Sequence, residues 1–205
     1  MTRGLRSRRG ALGLLVALSL LPALQALAGE DGAGPPAKPD PFSNLFGGPF
    51  SLISHTGKPV TNLDYAGKFL LIFFGYTSCP DVCPVGLTVM TQALDMLGPD
   101  ADQIQPLFIT VDPARDTPEK LAKYVQSFYP KLVGLSGSET QIEAVAKAYR
   151  VHRRKVLLNR DSASEYVIDH GSLTYLMGKD GKFLTVIPYT TTAGRMAETL
   201  KTYVK

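Results

Sequence analysis

The chain has 205 residues, with 22 Lys and Arg against 18 Asp and Glu, a formal net charge of +4 and only two cysteines. Its first 28 residues hold four of the basic residues and none of the acidic ones, so the rest of the chain has no formal net charge. This balance argues against a polyanion-binding surface, and no nucleic-acid partner is expected. The length remaining is enough for one domain with a substantial core.

The N-terminal segment predicts export. Residues 1–28 consist of a basic stretch, MTRGLRSRR, and an apolar stretch that ends in Ala-Leu-Ala, the pattern of a secretory signal peptide. About 18 apolar residues also approach the length that spans a bilayer, so a retained membrane anchor is the alternative. Pro22 and Gln25 favour cleavage. Residues 29–44 are rich in Gly and Pro and predict a flexible linker, which leaves 45–205 as one folded domain.

The predicted domain alternates strands and helices. In chain order the elements are a hairpin turning at Thr56-Gly57-Lys58-Pro59, a buried strand at 68–76, a helix after the cysteines ending at Gly98-Pro99, a buried strand at 104–112 and a helix capped by Thr117. They continue with a strand at 132–135, a helix over 138–149, a hairpin around Lys179-Asp180-Gly181 and a C-terminal amphipathic helix, AGRMAETLKTYVK. This order predicts a thioredoxin-like three-layer α/β fold, with a central mixed β-sheet flanked by helices and an N-terminal β-hairpin.

Both cysteines lie where that fold places its chemistry. Cys79 and Cys83, in FFGYTSCPDVCP, follow the first central strand at the start of its helix. Free N–H groups and the helix dipole at that position favour a thiolate, which is both a nucleophile and a metal ligand. The C-x-x-x-C spacing is one residue longer than the C-x-x-C of thiol oxidoreductases and lets two sulfurs converge on an ion. A plain disulfide is the alternative in an exported protein, although its very short loop would constrain the unfolded chain little.

A third ligand is needed to distinguish metal binding from dithiol chemistry. His170 precedes the first strand of the predicted C-terminal hairpin, in a loop that faces the cysteines in a thioredoxin-like fold. His55, beside a turn, and His152, at the end of a helix, are expected to be surface residues. Two thiolates and one imidazole form a soft ligand set, which favours copper over zinc because a structural zinc site would need a fourth ligand.

Three segments together resemble the Sco/SenC family: FFGYTSCPDVCP, VDPARDTPEKL (111–121) and YVIDH (166–170). The similarity covers roughly residues 46–204. It implies a domain that faces the periplasm or the mitochondrial intermembrane space, and for this chain we expect an exported periplasmic protein, either free or anchored in the inner membrane. The same resemblance implies that the domain binds copper, as Cu(I), Cu(II) or both, through Cys79, Cys83 and His170. It also implies delivery of that copper to the binuclear copper site of cytochrome c oxidase, in subunit II. Many members have His at the position of Ser78 and Ser or Thr at Gly171, and Gly171 is expected to loosen the histidine loop.

Two functions therefore stay open. One is a metallochaperone with no turnover, and the other is a thiol–disulfide oxidoreductase that reduces the cysteines of the oxidase copper site; other periplasmic copper chaperones or thiol reductases would be further partners. Asp81, Asp112 and Asp169 are candidates for orienting the ligands. The segment RVHRRK (150–155) is either a docking patch or, as we favour, a solvated basic loop.

Overall fold

The structure of the chain is a computed structural model that describes residues 45–159 and 162–204. The predicted signal peptide or membrane anchor (1–28) and the predicted linker (29–44) lie outside the described residues. Among the helices of the described ranges, none is long and apolar enough to cross a membrane.

The described part of the chain contains nine strands and four α-helices. The strands are β1 (Ser51–Ser54), β2 (Pro59–Thr61), β3 (Phe69–Gly75), β4 (Ile104–Thr110), β5 (Val133–Ser136), β6 (Arg153–Asn159), β7 (Ser162–His170), β8 (Leu173–Met177) and β9 (Phe183–Pro188). The helices are α1 (Val82–Leu97), α2 (Pro118–Val125), α3 (Glu139–Ala148) and α4 (Ala193–Lys201), and short 3-10 helices cover Asn62–Tyr65 and Gly98–Gln103.

Within the described residues, a mixed sheet of seven strands forms the middle layer, in the order β2-β1-β5-β4-β3-β8-β9. Strands β3, β4 and β5 are parallel, while β1 and β8 pair antiparallel with β5 and β3 respectively. Every residue of β3 is buried, as its continuous apolar run predicts for a central strand covered on both faces. The helix α1 begins seven residues after β3 ends, so its start lies at the carboxyl edge of the parallel strands, where α/β folds place their sites.

Helices cover both faces of this sheet. One core joins one face of the sheet to buried side chains of α1, α2 and α4, among them Leu87, Leu121 and Met196. The other core joins the opposite face to α3 through Ile142 and Val145. Alternate residues of β3 supply the two cores, because successive side chains of a strand point to opposite faces. The three-layer arrangement predicted from the sequence is confirmed.

Local sequence explains where the helices begin. The Thr117 hydroxyl accepts a hydrogen bond from the Lys120 N–H (3.3 Å), and Pro118 occupies the first helical position of α2. At α3, Ser138 and Gln141 form a reciprocal capping box. Thr117 is therefore the helix cap that the sequence predicts.

The β6–β7 hairpin is the element that the sequence did not predict. Its two antiparallel strands stand apart from the main sheet, with Arg153 opposite His170. Only the second half of the basic segment (153–155) departs from the loop we expected, because it begins β6, and His170 is the last residue of β7 rather than a loop residue. The hairpin is held to the domain by Tyr166 and Ile168, which are buried in the core beside α3.

Candidate metal centre

Cys79 lies just before the N-terminus of α1 and accepts hydrogen bonds from it. No side-chain oxygen caps this helix, since Asp81 occupies the N-cap position without a side-chain hydrogen bond. The backbone N–H groups of Asp81 and Cys83 instead donate to the Cys79 sulfur. Cys79 is partly exposed, so its sulfur is both stabilised by the start of the helix and accessible from outside.

Cys83 is the buried member of the pair. It lies in the first turn of α1, has no exposed surface and packs in the core between β3 and α1. A Cβ atom placed on Gly75, the last residue of β3, would lie only 2.7 Å from the Cys83 sulfur. Glycine at this position is therefore what allows the second sulfur to sit directly against the sheet.

His170 approaches the cysteines from the end of β7. Its Nδ1 lies 2.8 Å from the Gly171 carbonyl oxygen. A carbonyl can only accept, so Nδ1 donates this hydrogen bond, and Nε2 lies 3.5 Å from the Cys83 sulfur. The ring of Tyr76 meets the imidazole edge-on, with centroids 5.7 Å apart. The hydrogen bond and the ring contact together hold Nε2 toward the two thiols.

The three candidate ligand atoms form one compact cluster. The sulfurs of Cys79 and Cys83 and a ring nitrogen of His170 all lie within 4.8 Å of one another, and this is the sole group of its kind in the described ranges. A metal bound at bond lengths of about 2.0–2.3 Å holds its ligands at most about 4 Å apart in a trigonal arrangement, so a small closure of the cluster suits one ion. The donor set is the soft, low-coordinate one expected from the sequence.

The two thiols differ in acidity. The hydrogen bond that the Cys83 thiol donates lowers the pKa of Cys79 to about 4, with further help from His170 and the N–H groups of Asp81 and Cys83, against the effect of burial. The same hydrogen bond, together with burial and the nearby Cys79 charge, raises the pKa of Cys83 above its ordinary value. At neutral pH the partly exposed sulfur is thus a thiolate and the buried sulfur a thiol. Both cysteines are free in the structure.

The three acidic candidates lie close to the cysteine and histidine motifs, but their carboxyl groups make no hydrogen bond or ion pair with Cys79, Cys83 or His170. Asp112 is buried, pairs with Arg115 and accepts a hydrogen bond from the Tyr166 hydroxyl (2.8 Å). Asp169 precedes His170 on β7, so its side chain leaves the opposite face of the strand and pairs with His152 and with Arg154 of β6. Asp81 is exposed at the start of α1.

The remaining histidines and the basic segment have structural partners. The ring of His55 accepts a hydrogen bond from the Gly134 N–H (3.1 Å), which ties β1 to β5. His152 is mostly exposed and lies 3.4 Å from the Asp169 carboxylate. Arg153 forms a two-pronged pair with Glu139. Acidic partners thus neutralise part of the basic segment.

Sequence reasoning missed residues that support the cysteine loop. Asp116 has no exposed surface and accepts hydrogen bonds from Thr77, two residues before Cys79, and from Thr110. Tyr76 was not singled out either, although it contacts His170. In the sequence, the only sign of Asp116 was its place in the motif RDTP, and an acid at that position is typical of the start of any helix.

Fold and site define a class: a thioredoxin-like protein in which two cysteines and a histidine converge as a metal-binding group. The SCO1/SenC family profile matches residues 38–205. The chain belongs to this family, as its motifs predicted.

Known relatives agree with this assignment. The mitochondrial SCO1 homolog of Homo sapiens is 44% identical over 166 residues, which cover 78% of this chain and 54% of that protein. Protein sco1 of Schizosaccharomyces pombe is 42% identical over 158 residues, 77% of this chain and 60% of the relative. The chain therefore spans a little over half the length of these two curated relatives.

Solved structures extend the likeness to proteins that hold copper. ScoI of Bradyrhizobium japonicum with copper bound is 45% identical, has a TM-score of 0.70 and covers 77% of this chain and 99% of its own. Yeast Sco1 with copper bound is 34% identical, with a TM-score of 0.71, and covers 78% of this chain and 88% of its own. The thioredoxin-like fold predicted from the sequence is that of these relatives.

Proposed function

We propose that this protein is a metallochaperone that binds one copper through Cys79, Cys83 and His170. It delivers that copper to the binuclear site in subunit II of cytochrome c oxidase. The observation that carries the proposal is the convergence of two sulfurs and one imidazole nitrogen within 4.8 Å, at a partly exposed edge of the sheet. Relatives of 45% and 34% identity have been solved with copper bound, which supports the choice of metal.

The ligands differ in how ready they are to bind. Cys79 is already a thiolate, His170 offers its Nε2, and the buried Cys83 thiol must lose its proton when a metal binds. A soft cation such as Cu(I) compensates for that loss better than a hard one. Because Cys79 and His170 both reach the surface, a partner's ligands can replace them one at a time, so that copper passes on by ligand exchange.

The proposed location is the periplasm, with residues 1–28 acting as a signal peptide or as an anchor in the inner membrane. Residues 29–44 would then act as a tether that lets the domain of residues 45–205 reach its target. Export matches a copper-delivery role, because the copper site of the oxidase would be loaded on that side of the membrane. Other periplasmic copper chaperones or thiol reductases are the proposed suppliers of metal and electrons.

Anaerobic titration of the reduced protein with Cu(I), in competition with a chelator, tests the ligand set. His170→Ala should weaken copper binding by at least tenfold while both thiols remain titratable. His152→Ala is the matched control, because this histidine is close by but its side chain is 61% exposed and pairs with Asp169. Equal copper affinities for the two variants would contradict the three-ligand site.

A second function, thiol–disulfide exchange, is favoured by the low pKa of Cys79, about 4, beside a protonated Cys83. The Cys79 thiolate would attack a disulfide in the copper site of the partner and release one partner thiol as a mixed disulfide forms. Cys83 would then attack Cys79, so that the partner leaves as a dithiol and Cys79–Cys83 becomes the disulfide. The step carries two electrons to the partner, and a periplasmic thiol reductase would restore both cysteines.

Stopped-flow mixing with a disulfide peptide separates the two functions. An oxidoreductase should react much faster than a free thiol, and Cys83→Ser should arrest it at the mixed disulfide. A wild-type rate no faster than that of free thiol would exclude the oxidoreductase function and leave copper delivery as the sole proposed function.

A further inference from the structure

Asp116 is a buried carboxylate directly beneath the loop that leads to Cys79. Its side chain has no exposed surface. It accepts three hydrogen bonds: from the Thr77 N–H (3.0 Å), from the Thr77 hydroxyl (2.6 Å) and from the Thr110 hydroxyl (2.7 Å). Two of the three donors belong to one residue, so the carboxylate fixes both the backbone and the side chain of Thr77.

The position of Asp116 is itself fixed by two other elements. Its N–H donates to the Asp112 carbonyl (3.0 Å), and its carbonyl accepts a hydrogen bond from the Ser136 hydroxyl in β5 (2.9 Å). Thr110, the other donor to its carboxylate, ends β4. The Thr77 loop is thus tied through Asp116 to two neighbouring strands of the sheet, to β4 by the side chain and to β5 by the backbone carbonyl.

Thr77 transmits this constraint to the candidate ligand. The Cys79 N–H donates to the Tyr76 carbonyl (3.1 Å), so residues 76–79 form a tight turn with Thr77 at its first inner position. A second contact reaches the same turn from outside: Lys120 Nζ lies 3.7 Å from the Asp116 carboxylate and donates to the Ser78 hydroxyl (3.1 Å). Lys120 thereby offsets the buried charge and supports the residue next to Cys79.

We propose that Asp116 is a positioning residue for the copper site. Through Thr77 it sets the conformation of the 76–79 turn and so holds the Cys79 sulfur where it meets Cys83 and His170. Asp116 touches no candidate ligand, so it acts by geometry and not by coordination. The inference rests on the proposed copper function for its metal readout, but the hydrogen-bond constraint exists in the metal-free protein as well.

Two pairs of variants test the proposal by Cu(I) competition. Thr77→Val removes one hydrogen bond to the carboxylate and should weaken copper binding about tenfold, at the lower end of the 10–100-fold effects seen for supporting residues of metal sites. Thr77→Ser keeps the hydroxyl, so its copper affinity should stay within about twofold of the wild-type value. Thr91→Val is the matched control, since the Thr91 hydroxyl bonds to the Leu87 carbonyl within α1 (2.8 Å), away from the turn.

Asp116→Asn and Asp116→Ala separate geometry from charge. An asparagine oxygen can accept from the Thr77 N–H and the Thr110 hydroxyl, while its amide donates to the Thr77 hydroxyl, so Asn should largely preserve copper affinity. Ala leaves these donors unpaired and should lose at least tenfold in affinity, with a broadened or shifted thiolate-to-Cu(II) absorption band. An equal loss in Asn and Ala would overturn positioning, because the effect would then come from the charge.

Hydrogen exchange on the metal-free protein supplies a readout that does not depend on copper. The Thr77 amide should exchange about tenfold faster in Asp116→Ala than in the wild type, whereas core amides of β3 exchange at unchanged rates. If the wild type binds no copper, the proposed function fails and this exchange result still decides whether Asp116 holds the turn. If Asp116→Ala does not fold, the Thr77 pair decides: wild-type copper affinity in Thr77→Val overturns the proposal.

Discussion

Replacing Gly75 by alanine should damage the proposed copper site without replacing any candidate ligand. Gly75 ends β3 and does not have a positive φ angle, so alanine adds no backbone strain there. Its Cβ would, however, lie 2.7 Å from the Cys83 sulfur and 2.8 Å from Cε2 of Phe108. Both neighbours are fully buried, so neither can move into solvent to make room.

The size of the effect follows from these distances. Non-bonded heavy atoms prefer separations of about 3.5–4.0 Å, so the sulfur or the strand must shift by roughly 1 Å. Over-packing of a tight core costs about 1–3 kcal/mol of unfolding free energy. Metal sites tolerate changes of only about 0.2 Å in ligand distance, so Cu(I) affinity should fall by about 10–100-fold, or roughly 1.4–2.8 kcal/mol.

Gly86→Ala is the matched control for Gly75→Ala. Its added Cβ would lie 2.8 Å from the ring of Phe73, so it over-packs the same core from α1 without meeting the sulfur. Denaturant unfolding should show both variants destabilised, with Gly86→Ala partly compensated by about 0.5–1 kcal/mol of helix propensity. Cu(I) competition should then show weakened copper binding in Gly75→Ala and wild-type copper binding in Gly86→Ala. Wild-type copper affinity in a folded but destabilised Gly75→Ala would refute the steric argument.

Three further predictions concern the thiols and the histidine loop. The Cys79 pKa of about 4 lies below its ordinary value of 9.0. Between pH 4 and pH 9 the unfolded chain therefore binds more protons at this residue than the folded protein does. The unfolding free energy of the reduced protein should accordingly rise with pH from about 4 to 9. Denaturant midpoints across that range measure the rise, which should flatten in Cys79→Ser; equal slopes would contradict it. The two cysteines should together release about one proton when copper binds at neutral pH, from Cys83, as calorimetry in buffers of different ionisation enthalpy can measure; Cys79→Ser should release as many protons as the wild type, and a release lower by one would show that Cys79 was not ionised. Gly171→Ala should stabilise the protein by about 0.4–1 kcal/mol without weakening copper binding, because φ is not positive and the nearest atom to an added Cβ is 3.9 Å away; a lower melting temperature would count against this.

The parts of the fold that the sequence predicted are those with a strong local pattern. The apolar run of β3 predicts a doubly covered strand, and Thr117 followed by Pro118 predicts the start of α2. The location of the cysteines at a strand-to-helix junction follows from the same pattern, because an apolar run ends just before Cys79 and helical spacing begins just after Cys83. These features depend on neighbours in sequence, which a reading of the chain can supply.

The β6–β7 hairpin lacked such a pattern. Most of β6 is charged or exposed, so neither an apolar run nor a clean alternation marks it. Its position depends on contacts between distant residues: Arg153 with Glu139, and the Tyr166 hydroxyl with Asp112. The consequence for the site is direct, because His170 is held by strand pairing opposite Arg153 and not by a free loop.

The role of Asp116 was also beyond sequence reasoning, for a related reason. An acid just before a helix usually lies in solvent, where it interacts with the helix dipole. Here Thr77 and Thr110 approach it from positions 39 and 6 residues away, so burial and hydrogen bonding arise together only in the folded chain. A buried carboxylate without such donors would be costly, which makes the threonines as informative as the acid.

The unequal acidity of the two thiols sets an order of events that holds for either proposed function. Cys79 is ionised and partly exposed, so an incoming copper ion or disulfide meets this sulfur first. Cys83 is buried and protonated, so it reacts second and must then give up its proton, either to solvent as a metal binds or to the departing partner thiol. Since His170 Nε2 lies 3.5 Å from the Cys83 sulfur, closure of the cluster completes a metal site at the moment the second sulfur ionises. A soft cation can bind to both sulfurs and to the imidazole nitrogen, whereas disulfide exchange needs only the two sulfurs. This difference is the physical reason for preferring copper as the cargo.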